Sequence, residues 1–589
     1  MPSRTLVYDV GDKPKFKNLI LYSLQLLLAI IAATIAVPTI IGLKAQISAA
    51  ILGAGLGTLV YILFTKGKSP IVVSSSFTFV AAFPTALAFG YMGVVLGGIF
   101  SGLVYVVIAI IVKLVGTRWL NKLLPPVVIG PVVALIGLGL AGSAIGNLIK
   151  SSDPSNPGGG YNLVAILIGL ITFFIVVIVS VQNKRKGLKL IPFIIGILAG
   201  YAIATIFTVI GNATNVEYIR IVDWSPIIKN YQNFSWESII SVPKISIVEA
   251  IKELINGDVS AAIKELCPNA TLITGAGVAS IAIAFCPIAL VSFAEHIADH
   301  KNMSRIIDRD LLTNPGLTRT LLGDGIGSIV GTVGGVCPNT SYGEGIACVA
   351  MTGNASVRTT FMTAIMCVIL SFLAPICTAL QTIPSCVMGG VCLALYGYIA
   401  VSGLRMFKDI DLDNNANLFT VCVILIIGIG GLVIKIPYEI TASGEIAKAV
   451  EITSIATAMI IGILTYQLCR KITKASKSKV HEVYTGVRHE DLLRVYLKEF
   501  SIETLSHALL IFGFIHENVD FTVAQLSNFM HSDAMLNILS REELIELIKM
   551  FKFKGNITKA NKAACIKIIR DNCVRIDRST VKSSLNIVS

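Results

Sequence analysis

The hydrophobic pattern of this chain is one of long, unbroken apolar runs divided by short polar stretches, without the stripes of a water-soluble helix or strand. A run of about 20 apolar residues spans a bilayer as a helix. Such runs lie near 18–42, 46–65, 91–114, 126–148, 162–182, 190–209, 279–305, 316–335, 357–380, 385–404, 416–436 and 447–469. Two others, 70–88 and 337–353, are interrupted in their middles by SSSF and by CPNTSYGEG. The pattern predicts an all-α polytopic membrane protein of fourteen segments, with short strand-like breaks in segments 3 and 10.

Charge fixes an orientation for these segments. Alternate connections, counted from the N-terminus, carry nearly all the positive residues, among them Lys13, Lys66, Arg118, Arg185, Arg309, Arg358, Arg405 and Arg470. The short loops between them hold little more than Lys44, Lys150 and Lys435. Positive residues accumulate on the cytoplasmic side, so residues 1–17 form a cytoplasmic N-terminus and both termini are expected there, in a cell membrane. The same distribution makes nucleic acid an unnecessary explanation of the net charge of +13. The connection 210–278 is expected on the extracytoplasmic side, with an amphipathic stretch around Val248–Leu254.

The chain also repeats. LPPVVIGPV at 124–132 resembles IPSCVMGGV at 383–391, an offset of 259 residues, and Phe77 in the first broken segment precedes Glu344 in the second by 267. Seven segments separate the copies, so they are inverted, an architecture of secondary transporters in which broken helices meet near the midplane.

From Lys471 the composition changes. These 119 residues carry 18 Lys and Arg, 13 Asp and Glu, and five of the seven histidines. Amphipathic periodicity at 490–514, 522–531, 541–552 and 558–573, with a capping box at Ser540–Glu543, predicts a helical cytoplasmic domain over 471–589.

Charge at membrane depth is disfavoured by roughly 3 kcal/mol or more, so acids there usually face a pathway or a partner. Glu344 stands in the irregular stretch Val336–Gly353, and irregular backbone at that depth needs protein or a water-filled cavity around it. Glu295 and Asp299, in Phe293-Ala-Glu-His-Ile-Ala-Asp-His300, share one helical face a turn apart, with His296 pointing away. The bland alternative is a helix leaving the membrane at Glu295. Asp324, in Gly323-Asp-Gly325, reads as a third membrane acid or as a helix N-cap at the interface. No nucleophile–base pair or metal-ligand spacing appears, so neither an enzyme nor a cofactor or metal is expected.

These residues resemble the nucleobase–ascorbate transporter family, in its bacterial uracil permease branch. The resemblance covers roughly 15–470 and is carried by SLQLLLAIIAATIAVP (23–38), SSSFTF (74–79), GTRWLNKLLPPVVIGPVVALIGLGLAG (116–142), AEHIAD (294–299), DLLTNPGLTRTLLGDG (310–325) and PNTSYGE (338–344). It implies two inverted seven-segment repeats, a core domain (18–115 and 279–382) that carries substrate, and a gate domain (116–209 and 383–470) that mediates a homodimer. It implies that Glu295 and Glu344 accept N–H bonds from the base edge, and that the backbone N–H groups of Phe77 and Gly343 meet its carbonyl oxygens. Ala33 and Tyr342 would line the pocket, Asp324 and Thr352 would support it, and Glu295 with Asp299 would carry the coupling proton. Three departures stand out: Asp299 where a uracil permease can carry His, Gly345 and Ala347 where Asn and Gly are usual, and Gln25-Leu26 where Gln-His is usual.

The function expected is proton-coupled symport of a nucleobase, uracil first, by alternating access. A xanthine or other purine permease of the same family is the nearest alternative, although its purine branch usually has Gln at the Glu344 position. An anion exchanger of the same fold should not present two carboxylates. Outside transport, the alternative is a membrane receptor or scaffold acting through 471–589 and an unknown cytoplasmic partner.

Overall fold

A computed structural model describes residues 6–117, 119, 123–156, 160–182, 191–232, 234–440, 446–484, 541, 544–545 and 561–572. Helix dominates, as the apolar runs require, because a helix satisfies its own backbone polar groups in lipid. In chain order, α1 (Phe16–Ile40) and α2 (Ile47–Phe64) precede a three-residue strand, β1 (Val73–Ser75). A helical turn, Phe77–Ala82, then leads to α3 (Phe83–Leu87) and α4 (Gly90–Val115). Next come α5 (Pro126–Gly139), α6 (Ala141–Leu148), α7 (Leu163–Val181) and α8 (Pro192–Thr214). The expected outer connection holds α9 (Ser225–Gln232), α10 (Ser246–Asn256) and α11 (Ala261–Leu266).

The second half begins with α12 (Gly275–Ile307) and α13 (Leu317–Val333). A second strand, β2 (Asn339–Ser341), leads into α14 (Gly343–Thr352), α15 (Val357–Phe372), α16 (Ala374–Gln381), α17 (Ser385–Arg405) and α18 (Asn415–Ile429). A ribbon of β3 (Ile434–Ile440) and β4 (Ile446–Ile452) precedes α19 (Ser454–Tyr484), and α20 is Lys562–Asn572. Among the described residues, nine helices are long and apolar enough to cross a membrane. The chain divides into two compact units, Met1–Arg470 and Lys471–Ser589.

Three apolar runs fold differently from expectation. The runs 416–436 and 447–469 are not helical throughout: α18 stops at Ile429, and Ile434 pairs with Ile452 and Ile436 with Val450 in an antiparallel ribbon. Gly430 and Gly431 end the helix, Gly431 with φ +72°, and the β-branched stretch that follows contains Pro437, which removes a helical N–H. The run 357–380 is broken into α15 and α16 at Leu373, beside Pro375. In the tail, the stretches 490–514 and 522–531, most of 541–552 and most of the Ser540–Glu543 box lie outside the described residues; 558–573 overlaps α20.

The two strand-like breaks find each other. β1 and β2 pair antiparallel, with Val73 opposite Ser341, Ser74 opposite Thr340 and Ser75 opposite Asn339. Ser76 N extends the pairing to Pro338 O at 2.9 Å, and Thr58 on α2 both donates to Val73 O (2.9 Å) and accepts from Val73 N (3.1 Å). All six strand residues are buried, so this ladder supplies the partners that unwound backbone at membrane depth needs.

Small residues bring α2 and α13 close around the ladder, as membrane helices often pack. A Cβ on Gly331 would run into the Asn339 amide, and one on Gly57 would reach Gly327 O at 3.0 Å. Asn339 Nδ2 donates to Gly53 O at 2.6 Å in this seam.

Two further contacts brace this unit. In the connection 210–278, Glu253 on α10 is buried and accepts from Tyr91 N (2.7 Å), at the start of α4, and from Ser260 N (2.9 Å). At the other end, the N-terminal stretch lies along the loop after α14: Ala355 N donates to Tyr8 O (2.9 Å), Val357 N to Val10 O (3.1 Å), and Asp9 pairs with Arg309.

Candidate functional site

The β1–β2 crossing ends in two helix starts. Phe77 opens the helical turn after β1, behind Ser76, and Gly343 opens α14, behind Tyr342. Neither start has a side-chain cap. The first N–H groups of a helix have no partner within it, so these ends are ready donors to oxygen atoms of a ligand. Phe77 and Tyr342 are both buried, Gly343 half-buried.

Carboxylates arrive at the same place from two elements. Glu344 sits in the first turn of α14, and Glu295 comes from the middle of α12; both are half-buried. The charges of Glu295, Asp299 and Glu344 lie within electrostatic reach of one another. Thr78 Oγ1 donates to Glu295 Oε2 at 3.1 Å, and Ser341 Oγ donates to Asp299 Oδ2 at 3.0 Å. The i, i+4 face of α12 is therefore bound to both breaks, Glu295 to the segment after β1 and Asp299 to β2. That face packs inside the protein rather than facing solvent.

The next face of α12 turns to α13 and α2. His296 Nδ1 meets Asp324 Oδ2 at 2.6 Å, and His296 Nε2 meets Thr320 Oγ1 at 3.1 Å. His300 Nδ1 donates to His296 O (2.7 Å), and its Nε2 meets the Tyr61 hydroxyl at 2.7 Å. Asp324 is buried in the interior of α13, so the N-cap alternative is excluded. Its helix starts seven residues earlier, at Leu317.

Of the remaining expected residues, Ala33 on α1 is buried in the same apolar cluster as Phe77 and Tyr342. Thr352 stands eight residues beyond Glu344, about 12 Å along the helix. Its hydroxyl donates to Cys348 O at 2.8 Å and accepts from Asn354 N, so it finishes α14 at the end away from the acids.

Two departures from the family pattern lie side by side. A Cβ on Gly345 would lie 2.5 Å from Val72 Cγ2 and 3.7 Å from Leu26 Cδ1. Where the pattern sets two polar side chains, this chain has Leu26 and the space of a glycine, and the gap is apolar. Sequence reasoning passed over Thr78, Ser341 and Tyr396. The first two are neighbours of expected residues, and their hydroxyls are a legible signal in SSSFTF and PNTSYGE. Tyr396 of α17 stands edge-on to Phe77, ring centroids 5.4 Å apart, and nothing in its apolar surroundings marks it.

A family model named Xan_ur_permease, described as Permease family, matches residues 17–436. The chain is 34% identical over 465 residues to a uracil permease of Bacillus caldolyticus, covering 78% of this chain and 93% of that one. The chain belongs to the nucleobase–ascorbate transporter family. This permease is also similar to uracil permeases of Bacillus subtilis strain 168 (33% identical, 82% of this chain and 100% of that one) and Escherichia coli K12 (32%, 77% and 92%). It is a multi-pass membrane protein and a transporter, not an enzyme. Among solved structures it resembles that of SLC26A9, with TM-score 0.51 and 13% identity over 78% of this chain and 66% of that one. At that identity the likeness speaks of fold alone.

Proposed function

We propose that this permease carries a nucleobase, most readily uracil, together with a proton, by alternating access. The observation that carries the reading is the convergence of Glu295 and Glu344 on the uncapped helix starts at Phe77 and Gly343. Uracil presents alternating N–H donors and C=O acceptors along one edge. Two carboxylates accept the N–H bonds, two backbone N–H groups donate to the oxygens, and bonds to a charged acceptor are among the stronger kinds. A site built this way rejects an analogue lacking the N–H, because buried acceptors would be left unpaired. The curated names of the bacterial relatives support the same substrate.

In this reading, Glu344 binds substrate, Glu295 binds substrate and carries the coupling proton, and Asp299 is its near partner. Ala33 and Tyr342 line the pocket. The fourteen segments form two inverted repeats: a core domain of 18–115 and 279–382 carries the site past a gate domain of 116–209 and 383–470, through which two copies associate. Residues 210–278 lie outside the cell membrane, and both termini and the 471–589 domain lie inside. The pairing of β1 with β2, one from each half, supports the repeat.

Reconstituted vesicles loaded with protein and given labelled uracil test this reading. Uptake should accelerate under an inward proton gradient and fall with excess unlabelled uracil, not xanthine or hypoxanthine. Uptake that ignores the gradient removes the coupling; preferential competition by xanthine moves the permease to the purine alternative.

A further inference from the structure

The hydrogen-bond arrangement around His296 and Asp324 points to a second place where a proton can reside. Both side chains are fully enclosed, and they meet at 2.6 Å. The hydrogens there can be counted. Thr320 Oγ1 has one hydrogen and two neighbours able to receive it, Leu317 O at 3.0 Å and His296 Nε2 at 3.1 Å. When the hydroxyl turns to Nε2, the imidazole keeps its own hydrogen on Nδ1 and donates it to the Asp324 carboxylate. The pair then bears one negative charge. When the hydroxyl turns to Leu317 O, its oxygen accepts from Nε2–H, and the Nδ1–Oδ2 contact requires one more hydrogen. The pair then bears no net charge, whether the extra proton rests on the ring or on the carboxyl. Both arrangements keep every heavy atom in place and differ by one hydroxyl rotation and one proton.

We propose that the His296–Asp324 pair, with Thr320 as its switch, is a proton-carrying site of the transport cycle beside Glu295. The proposal rests on the proton-symport reading above. A hydronium ion gives its proton to the pair and leaves as water; on the other side of the membrane the pair returns the proton to water. The Ser341 backbone also approaches the Asp324 carboxylate, which ties the pair to β2, whose Ser341 hydroxyl binds Asp299. The titratable groups around the pair are Glu295, Asp299 and His300 on α12, Tyr105 on α4 and Tyr61 on α2. The His300 ring stacks on His296 at 3.8 Å, and Tyr105 stands edge-on to it at 5.9 Å. Both ring nitrogens of His300 are already engaged, by His296 O and by Tyr61.

The test uses full-length protein in vesicles, with wild type, Asp324→Asn, Thr320→Val and Thr320→Ser. One readout is exchange of labelled for unlabelled uracil, which needs no net proton movement; the other is the acceleration of net uptake by an inward proton gradient across a pH series. In Asp324→Asn the acceleration by the gradient should be lost, measured relative to whatever exchange the variant retains. Thr320→Val, close in shape but without the hydroxyl, should move the pH profile by about one unit, and Thr320→Ser should restore it. Wild-type acceleration in Asp324→Asn, or a wild-type pH profile in Thr320→Val, overturns the proposal while leaving symport standing. A wild-type protein that exchanges uracil without any response to the gradient overturns symport and this proposal together.

Discussion

A methyl group added at Gly345 is a sharp probe of the site's packing. The new Cβ would stand 2.5 Å from Val72 Cγ2, 3.7 Å from Leu26 Cδ1 and 3.9 Å from Ile30 Cγ2. Carbon atoms pack best at about 3.5–4.0 Å, so the last two contacts are comfortable and the first is not. About 1 Å must be found on the Val72 side. Val72 is 2% exposed and directly precedes β1, so it has no open space to turn into. Overpacking of this kind costs about 1–3 kcal/mol, against at most about 1 kcal/mol gained by replacing a helical glycine with alanine. Gly345→Ala should therefore lower the thermal stability of the purified protein and, because the shift passes to Glu344 next to it, raise the half-saturating uracil concentration. Val72→Ala alone should lose about 1.5–3 kcal/mol of burial. The double variant should be better than the sum of the singles by about 1 kcal/mol or more, since the new methyl fills the space left by the old ones. Thermal denaturation in detergent with uracil uptake on the same four proteins decides it. Strict additivity, or a neutral Gly345→Ala, would refute the steric account.

Other positions give independent checks. Thr78→Val leaves Glu295 Oε2 without its donor, a hydrogen bond to a charged group worth about 1.5–3 kcal/mol; uracil affinity should fall at least tenfold, and Thr78→Ser should retain it in the same uptake assay. Asn339→Ala removes the donor to Gly53 O and should lower stability by about 1–3 kcal/mol. An unchanged melting temperature would show that the α2–α13 seam does not depend on this side chain. Glu253→Ala frees the backbone N–H groups of Tyr91 and Ser260. Limited proteolysis should then cut within 210–278 faster than in wild type, and an equal rate would show that this carboxylate does not hold that connection.

Much of this was legible in the residues, and the exceptions have physical reasons. The polar interruption SSSF and the Gly- and Pro-containing PNTSYGE mark breaks because such stretches are unusual inside membrane-length apolar runs, and those breaks became β1 and β2. A spacing of four put Glu295 and Asp299 on one helical face, which the bonds to Thr78 and Ser341 bear out. The His296–Asp324 contact spans 28 residues and two helices, so neither periodicity nor spacing could reveal it. Asp324 alone looked equally like a cap, since a glycine on either side suits a helix end as well as close packing. The β3–β4 ribbon was missed because a hydropathy window weighs Ile434–Ile436 as it weighs any apolar residues and gives Gly430–Gly431 no power to stop a helix.

In the proposed mechanism, Glu344 and Glu295 together hold the edge of uracil. The most direct test is equilibrium binding of labelled uracil to purified wild-type, Glu344→Gln and Glu295→Gln proteins that elute as folded species. Saturable binding is expected in wild type, displaced by unlabelled uracil, with a loss of at least tenfold in affinity in each variant, because an amide accepts less strongly than a carboxylate. Wild-type affinity in either variant would contradict it.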